Sequence, residues 1–176
     1  MKVFINPGHA PDPLDDPGAV NVRLGLKESL IARRIGERTA TYLANAGYEV
    51  KVMQYDGLWA ICNAANRWGA DAFVSIHCNA ASGKARGTET YHAPYSMRGA
   101  RLAECIHNQI VGSIKPDYRY WDRGVKSVGF YVLSNTDAPA ALVETAFIDN
   151  DADAQLLVEA EDDFARAIAR GVSDFF

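Results

Sequence analysis

The chain has 176 residues, with 18 Lys and Arg against 22 Asp and Glu and a formal net charge of -4. That length suits a single domain with one substantial core, and a hydrophobic content of 48% is too high for a disordered chain. The mild acidity argues against a duplex nucleic-acid binder, which needs a basic patch, and three Cys in no paired pattern exclude a disulfide scaffold.

The apolar segments of the chain are all short. The first one, Val3-Phe4-Ile5, ends at Asn6 and is too short for the hydrophobic region of a signal peptide. No segment approaches the ~20 apolar residues of a membrane span. We therefore expect a monomeric protein with no membrane span and no signal peptide in this chain.

Strand-like and helix-like segments alternate along the first half of the chain. The segment from Ala10 to Gly25 is rich in Pro, Asp and Gly and predicts a loop between two of them. Periodicity predicts strands over 3–5, 48–52 and 72–76, and helices over 26–45 and 58–68.

The same alternation continues to the end of the chain. Apolar runs predict strands over 87–92, 130–133 and 141–144, helical patterns cover 97–114, 151–158 and 162–175, and residues 116–125 read as a surface loop. Strands that alternate with helices build crossover units. The expected fold class is therefore a single α/β domain with a mostly parallel, twisted sheet of about six strands and helices on both faces.

Ionisable residues stand where three of the predicted strands end. His9 follows the first strand, His77 ends the strand at 72–76, and Glu144 ends the strand at 141–144. Ligands of open parallel sheets bind beyond the carboxyl ends of the strands, so these side chains should share one rim. Glu28 joins them because its spacing from Ile31 places it on the buried stripe of the first helix, where a carboxylate needs a partner.

Two imidazoles and one carboxylate form a ligand set of zinc hydrolases, in which a fourth position is left for water. The residues therefore predict Zn2+ at His9, Glu28 and His77. The zinc would lower the pKa of the water to ~7 and polarise a substrate carbonyl. Glu144 is then the candidate general base and acid, which takes the proton from the water and delivers it to the leaving nitrogen.

Six blocks in the chain resemble the catalytic domain of zinc-dependent N-acetylmuramoyl-L-alanine amidases, the family of bacterial autolysins, sporulation amidases and phage endolysins. The two most specific are Ser-Ile-His-x-Asn-Ala at 75–80 and Glu-Thr-x-Phe-Ile-x-Asn at 144–150. The blocks occur in family order and cover nearly the whole chain, at 6–9, 25–28, 70–80, 87–90, 123–126 and 139–150.

The resemblance implies the same roles as the strand ends, with zinc on His9, Glu28 and His77 and with Glu144 as the catalytic glutamate. It implies hydrolysis of the amide between N-acetylmuramic acid and L-alanine in peptidoglycan, at the cell wall. It also implies that residues 1–176 form one amidase catalytic domain with no separate cell-wall-binding domain. Within the matching blocks, Asn79, Arg123 and Lys126 are candidate substrate contacts.

The first block departs from the family pattern, which usually opens with Asp-Pro-Gly-His-Gly. Here Asn6 replaces the acid, and Ala10-Pro11 follow the histidine. If the usual Asp orients the metal-binding His, Asn6 would do so here through its amide oxygen, less strongly. The segment 87–102 is also short, with no room for the extra blocking helix of some regulated members, so we expect an open groove.

Other interpretations of the sequence stay open. The same metal chemistry would serve a zinc deacetylase or a peptidase acting on another amide, and a non-catalytic wall-binding module is a third alternative. The aromatic segment of Tyr118, Tyr120 and Trp121, with Arg119 and Arg123, could line the groove or pack on its own neighbours. The remaining His and Cys residues favour structural roles: His92, His107, Cys62, Cys78 and Cys105.

Overall fold

The computed structural model describes residues 1–114 and 121–176 of the chain. A six-stranded sheet forms its centre, and its strands lie side by side in the order β4-β1-β5-β8-β6-β7. A two-stranded ribbon of β2 and β3 precedes the first helix. The strands are β1 (Lys2–Pro7), β2 (Val20–Asn21), β3 (Leu26–Lys27), β4 (Glu49–Val52), β5 (Ala72–Asn79), β6 (Thr88–His92), β7 (Asp122–Ser127) and β8 (Ala140–Phe147).

Helices cover both faces of the sheet, as the alternating pattern predicts. They are α1 (Glu28–Asn45), α2 (Leu58–Trp68), α3 (Met97–Ser113), α4 (Tyr131–Ser134), α5 (Asp151–Glu159) and α6 (Glu161–Phe175). Successive strand residues point to opposite faces, so Val3 and Ile5 join the core under α1, α3, α5 and α6. Phe4 joins the core under α2 and α4. The predicted fold class is confirmed: one α/β domain with a mostly parallel six-stranded sheet.

Strand direction determines which strand ends meet at each edge of the sheet. The neighbours β4, β1, β5 and β8 pair in parallel, whereas β6 is antiparallel to β8 and parallel to β7. The carboxyl ends of the first four strands therefore share one edge with the amino ends of β6 and β7. Side chains from both kinds of strand end meet there.

The strand predicted over 130–133 is wrong. Tyr131 to Ser134 form a short helix, in which the amide of Ser134 donates to the carbonyl of Phe130 at 3.0 Å. Val132 and Leu133 pack into the core under α2. A four-residue apolar run fits either structure, and here β8 already has β5 and β6 as its partners, so the run has no place beside it in the sheet.

The loop predicted over 116–125 is corrected for its last part, because Asp122–Ser127 form β7 at the edge of the sheet. Residues 116–120 of that prediction lie outside the described residues. Within the described ranges, no helix has the length and apolar character needed to cross a membrane.

Candidate active site

The structure brings His9, Glu28 and His77 together at the shared edge of the sheet. One carboxylate oxygen, Glu28 Oε1, lies 3.0 Å from His9 Nε2 and 3.0 Å from His77 Nδ1. The three potential ligand atoms all lie within 4.8 Å of one another. Two imidazole nitrogens and one carboxylate oxygen converging on one point are a donor set that suits Zn2+.

Local backbone structure places each of these side chains. The amide of Gly8 donates to Ile76 O at 2.9 Å, which extends the β1–β5 pairing by one residue and turns the chain at His9. His9 has a left-handed backbone with φ of 64°, uncommon for a residue other than Gly and often found at functional sites. Glu28 is the first residue of α1, and its second oxygen accepts the amide of Ala19 at 2.9 Å.

Two glycines leave the room that the imidazoles occupy. A Cβ on Gly8 would lie 2.2 Å from His77 Cε1, and a Cβ on Gly18 would lie 2.5 Å from His9 Cδ2. Real Cβ atoms do not approach other heavy atoms that closely. The rings can therefore face Glu28 only because both positions lack a side chain.

The electrostatics of the cluster favour a cation. Burial alone would lower the pKa of His9, but hydrogen bonds and charges from Glu28 and Asp16 outweigh it and raise that pKa to about 9. Burial alone would raise the pKa of Glu28, yet its contacts with the two imidazoles hold it well below its usual range. The negative field that attracts a proton to His9 also attracts a metal ion, so the donor set fits zinc.

Asp16, rather than Asn6, holds the far side of the His9 ring. Asp16 Oδ2 lies 2.9 Å from His9 Nδ1. The amide of Asn6 donates to the carbonyls of Pro7 and Met53, and its oxygen accepts from Ser75 Oγ at 2.9 Å. The expected bond from Asn6 to His9 is thus corrected, because Asn6 points to the face of the sheet where Ser75 and the backbone satisfy it.

We expect Asp16→Asn to lower zinc affinity by about 10- to 100-fold, the range typical for a group that orients a metal-binding imidazole. The neutral amide can occupy the same space but stabilises the ring less than a carboxylate does. Competition with a chromogenic chelator measures the affinity. Asp15→Asn, at the exposed neighbouring position, is the matched control. Equal affinities for the two variants would contradict the role given to Asp16.

Glu144 lies beside the metal-binding cluster. It is the register partner of His77 in the parallel pair β5–β8, so their backbones are one strand spacing, ~4.8 Å, apart. Its Oε2 is buried and has no hydrogen-bond partner among the described residues. The pKa of Glu144 is raised to about 7, mainly by burial and also by the charges of Glu28 and Glu89, against the opposing effects of His77 and His9. A buried carboxyl with an unused oxygen and a pKa near neutrality suits proton transfer.

A cleft of about 480 Å³ opens over these residues. His9, His77 and Glu144 line its floor, and Tyr131 and Phe130 stand on one wall. Their rings are partly exposed, as is that of Tyr55, which also lines the cleft. The sequence did not single out these three aromatic residues, because two were assigned to a strand and Tyr55 stood in a short connection.

The predicted substrate contacts gather around a residue that the sequence analysis did not single out. Glu89, only 3% exposed, accepts from Arg123 Nε at 3.0 Å, and it also accepts from Lys126 Nζ and Asn79 Nδ2. Glu89 is the register partner of Glu144 across the antiparallel pair β6–β8. Glu89, itself the neighbour of Glu144 across the sheet, therefore holds all three of the predicted contacts.

The other sequence candidates lie outside the metal cluster. His107 is buried between Thr90 Oγ1 and Asp122 Oδ1, at 3.1 and 2.7 Å, which links α3 to β6 and β7. His92 Nδ1 lies 2.9 Å from the carbonyl of Ala93. Cys78 points away from His77 into the core, while its amide donates to Glu28 Oε1 at 3.0 Å. Of the aromatic segment, residues 118–120 lie outside the described residues, and the Trp121 ring stacks on Arg86.

Comparison with known proteins places this arrangement in context. The family described as N-acetylmuramoyl-L-alanine amidase matches residues 3–174. The sporulation-specific N-acetylmuramoyl-L-alanine amidase of Bacillus subtilis is 35% identical over 178 residues, covering 97% of this chain and 65% of that protein. The endolysin of Bacillus phage SPP1 is 34% identical over 178 residues, covering 96% of this chain and 62% of the endolysin. The chain thus spans slightly less than two thirds of these relatives.

A solved structure shows the same fold. The N-acetylmuramoyl-L-alanine amidase AmiC2 of Nostoc punctiforme superposes with a TM-score of 0.90 at 32% sequence identity. The match covers 99% of this chain and 96% of that one.

Proposed function

The chain belongs to the N-acetylmuramoyl-L-alanine amidase family, and on that premise we propose that it hydrolyses the amide between N-acetylmuramic acid and L-alanine in peptidoglycan. The observation that carries the proposal is the cluster of His9, Glu28 and His77 beside Glu144, one oxygen of which is buried with no hydrogen-bond partner in the described part of the chain. An amide hydrolase needs an electrophilic centre and a proton carrier within reach of the same bond. Both lie on the floor of one cleft.

We propose that His9, Glu28 and His77 hold Zn2+, because their donor set and their attraction for positive charge suit that ion. When bound, zinc would supply Lewis acidity toward the amide carbonyl and toward a water molecule. Asp16 keeps His9 Nδ1 engaged, so that Nε2 faces Glu28 and the cleft.

Glu144 carries the protons in this proposal. Its carboxylate, which lines the cleft, accepts a proton from the attacking water and then donates it to the nitrogen of L-alanine as the amide bond breaks. The pKa near 7 makes both steps accessible at neutral pH, since neither the acid nor the carboxylate is strongly favoured.

We further propose that residues 3–174, the range that the family matches, act as one catalytic unit at the cell wall. The endolysin and sporulation amidase relatives support a role in wall lysis or remodelling. The charge of the whole chain is negative, so its cleft rather than bulk attraction must recognise an anionic wall.

Purified cell walls provide the test of this function. We expect the protein to release muramyl groups and free L-alanine amino termini, to lose this activity with a chelator, and to regain it when zinc is added in excess. Walls incubated with chelator alone serve as the control. Full activity in the presence of the chelator would overturn the metal assignment. Release of acetate, or cleavage between peptide residues, would instead identify a deacetylase or a peptidase.

A further inference from the structure

The strip of polar side chains on the floor of the cleft continues past Glu144 and ends in a pair of cations. Register partners on neighbouring strands share a face of the sheet, which places Glu89 beside Glu144 and Lys126 beside Tyr91. Tyr91 is in turn the partner of Leu142, which lines the cleft with Glu144. Lys126 therefore lies on the same face as Glu144, two strand spacings (about 10 Å) across the sheet and two residues (about 7 Å) along it.

The charges of this group do not cancel. Glu89 contributes one negative charge, whereas Arg123 and Lys126 contribute two positive charges within hydrogen-bond reach of the same oxygen, Glu89 Oε2. Burial alone would raise the pKa of Glu89, but the hydrogen bonds from Lys126, Tyr91 and Arg123 outweigh it and lower that pKa. The carboxylate thus stays ionised, and the group carries a net charge of one positive unit beside the general base.

The two cations differ in how much they can still bind. Arg123 donates to Glu89 and to the carbonyl of Arg86, and its guanidinium lies over the ring of Phe147 at 4.9 Å. Lys126 makes one hydrogen bond among the described residues, to Glu89, although an ammonium has three donors. Its side chain is 40% exposed while that of Glu89 is 4% exposed. Lys126 therefore has donors left to offer to a ligand.

We propose that Lys126, positioned by Glu89 and backed by Arg123, binds a carboxylate of the stem peptide and makes the enzyme prefer stems that carry this charge close to the cleaved bond. The inference rests on the proposed function. An extended peptide advances ~3.3 Å per residue, so a carboxylate within about 10 Å of the scissile amide belongs to one of the first residues after L-alanine. A charge-assisted hydrogen bond fits this contact.

Two muramyl peptides test the proposal directly. They differ only in whether the residue after L-alanine carries a carboxylate or a carboxamide. We expect wild-type protein loaded with zinc to cleave the carboxylate form about tenfold more efficiently by kcat/KM, the size of one hydrogen bond between charged groups. The difference should lie mainly in KM, because the contact is made in the ground state as well.

Variants of one residue assign the effect. Lys126→Gln should bring the ratio of the two kcat/KM values to about one, and Lys126→Arg, which keeps the charge, should keep most of the preference. Equal cleavage of the two peptides by wild-type protein would overturn this inference and leave the proposed function standing, as would an unchanged preference in Lys126→Gln. Failure to cleave either peptide would overturn both.

Discussion

Glu144→Gln is expected to lower the rate of wall hydrolysis by at least about 10³-fold, within the range that general acid–base catalysis contributes. The amide has nearly the same shape as the carboxyl but cannot accept and return a proton. Zinc content should not change, because the metal-binding cluster uses other side chains. The rate is measured as the release of free amino groups from purified walls, with no accompanying release of reducing sugar ends. A variant with full activity would refute the role of Glu144.

The same substitution should stabilise the metal-free protein at neutral pH. The pKa of Glu144 is raised from 4.5 to about 7 in the folded state, so its contribution to stability is fully present below pH 4.5 and is lost as the pH rises through 7. That difference corresponds to up to about 3 kcal/mol, which the uncharged Gln does not lose. Glu144→Gln should therefore exceed the wild type in free energy of unfolding at pH 8 and match its trend near pH 4.

Urea denaturation of the two metal-free proteins at both pH values provides the measurement. Glu49→Gln, at an exposed position of β4, controls for the removal of one negative charge from the chain. An equal effect of both substitutions on stability would mean that burial of Glu144 is not the cause. Lost activity combined with gained stability is the pattern of a residue kept for catalysis.

Glu28→Gln is expected to lower zinc affinity by more than about 100-fold, beyond the loss typical for groups that only support a ligand. The reason lies in the hydrogen bonds of both carboxylate oxygens. Oε1 accepts the amide of Cys78 and Oε2 accepts the amide of Ala19. A Gln side chain must turn its NH2 group toward one of these donors, and it also lacks the charge that holds the cation.

Metal content after dialysis, measured together with wall hydrolysis, checks this expectation. Glu37→Gln is the matched control, because Glu37 is an exposed residue of the same helix. The control should keep its zinc and its activity. If Glu28→Gln retained one equivalent of zinc through dialysis, the carboxylate would not be a ligand, and the two imidazoles would need another partner.

That His9, Glu28 and His77 would come together could be predicted because they obey simple rules of α/β folds. His9 follows β1, His77 lies near the carboxyl end of the neighbouring parallel strand β5, and Glu28 occupies the buried stripe at the start of a helix. Each rule needs only local sequence: an apolar run, its last residue and a helical period. The distances between these side chains, by contrast, follow only from the pairing of β1 with β5.

The residues around Glu89 do not follow those rules. Glu89 and Arg123 stand at the beginning of their strands, and they reach the same edge only because β6 and β7 run against the rest of the sheet. Strand direction depends on long-range pairing, which the pattern of Thr88 to His92 does not reveal. The contact of Asp16 with His9 could not be predicted for a similar reason. The loop is rich in Asp, and its sequence does not show which carboxylate will contact His9.

The glycines at positions 8 and 18 change how the metal centre should be regarded. Its shape depends on the absence of a side chain at Gly8 and Gly18 as much as on the three candidate ligands. A Cβ at either glycine would enter the volume of an imidazole ring. Substitutions of Gly8 or Gly18 should therefore be tolerated as poorly as substitutions of the candidate ligands themselves. A redesign of the candidate site for a larger ion has to gain space elsewhere along the cleft. Glycine is already the smallest residue, so positions 8 and 18 cannot be reduced further.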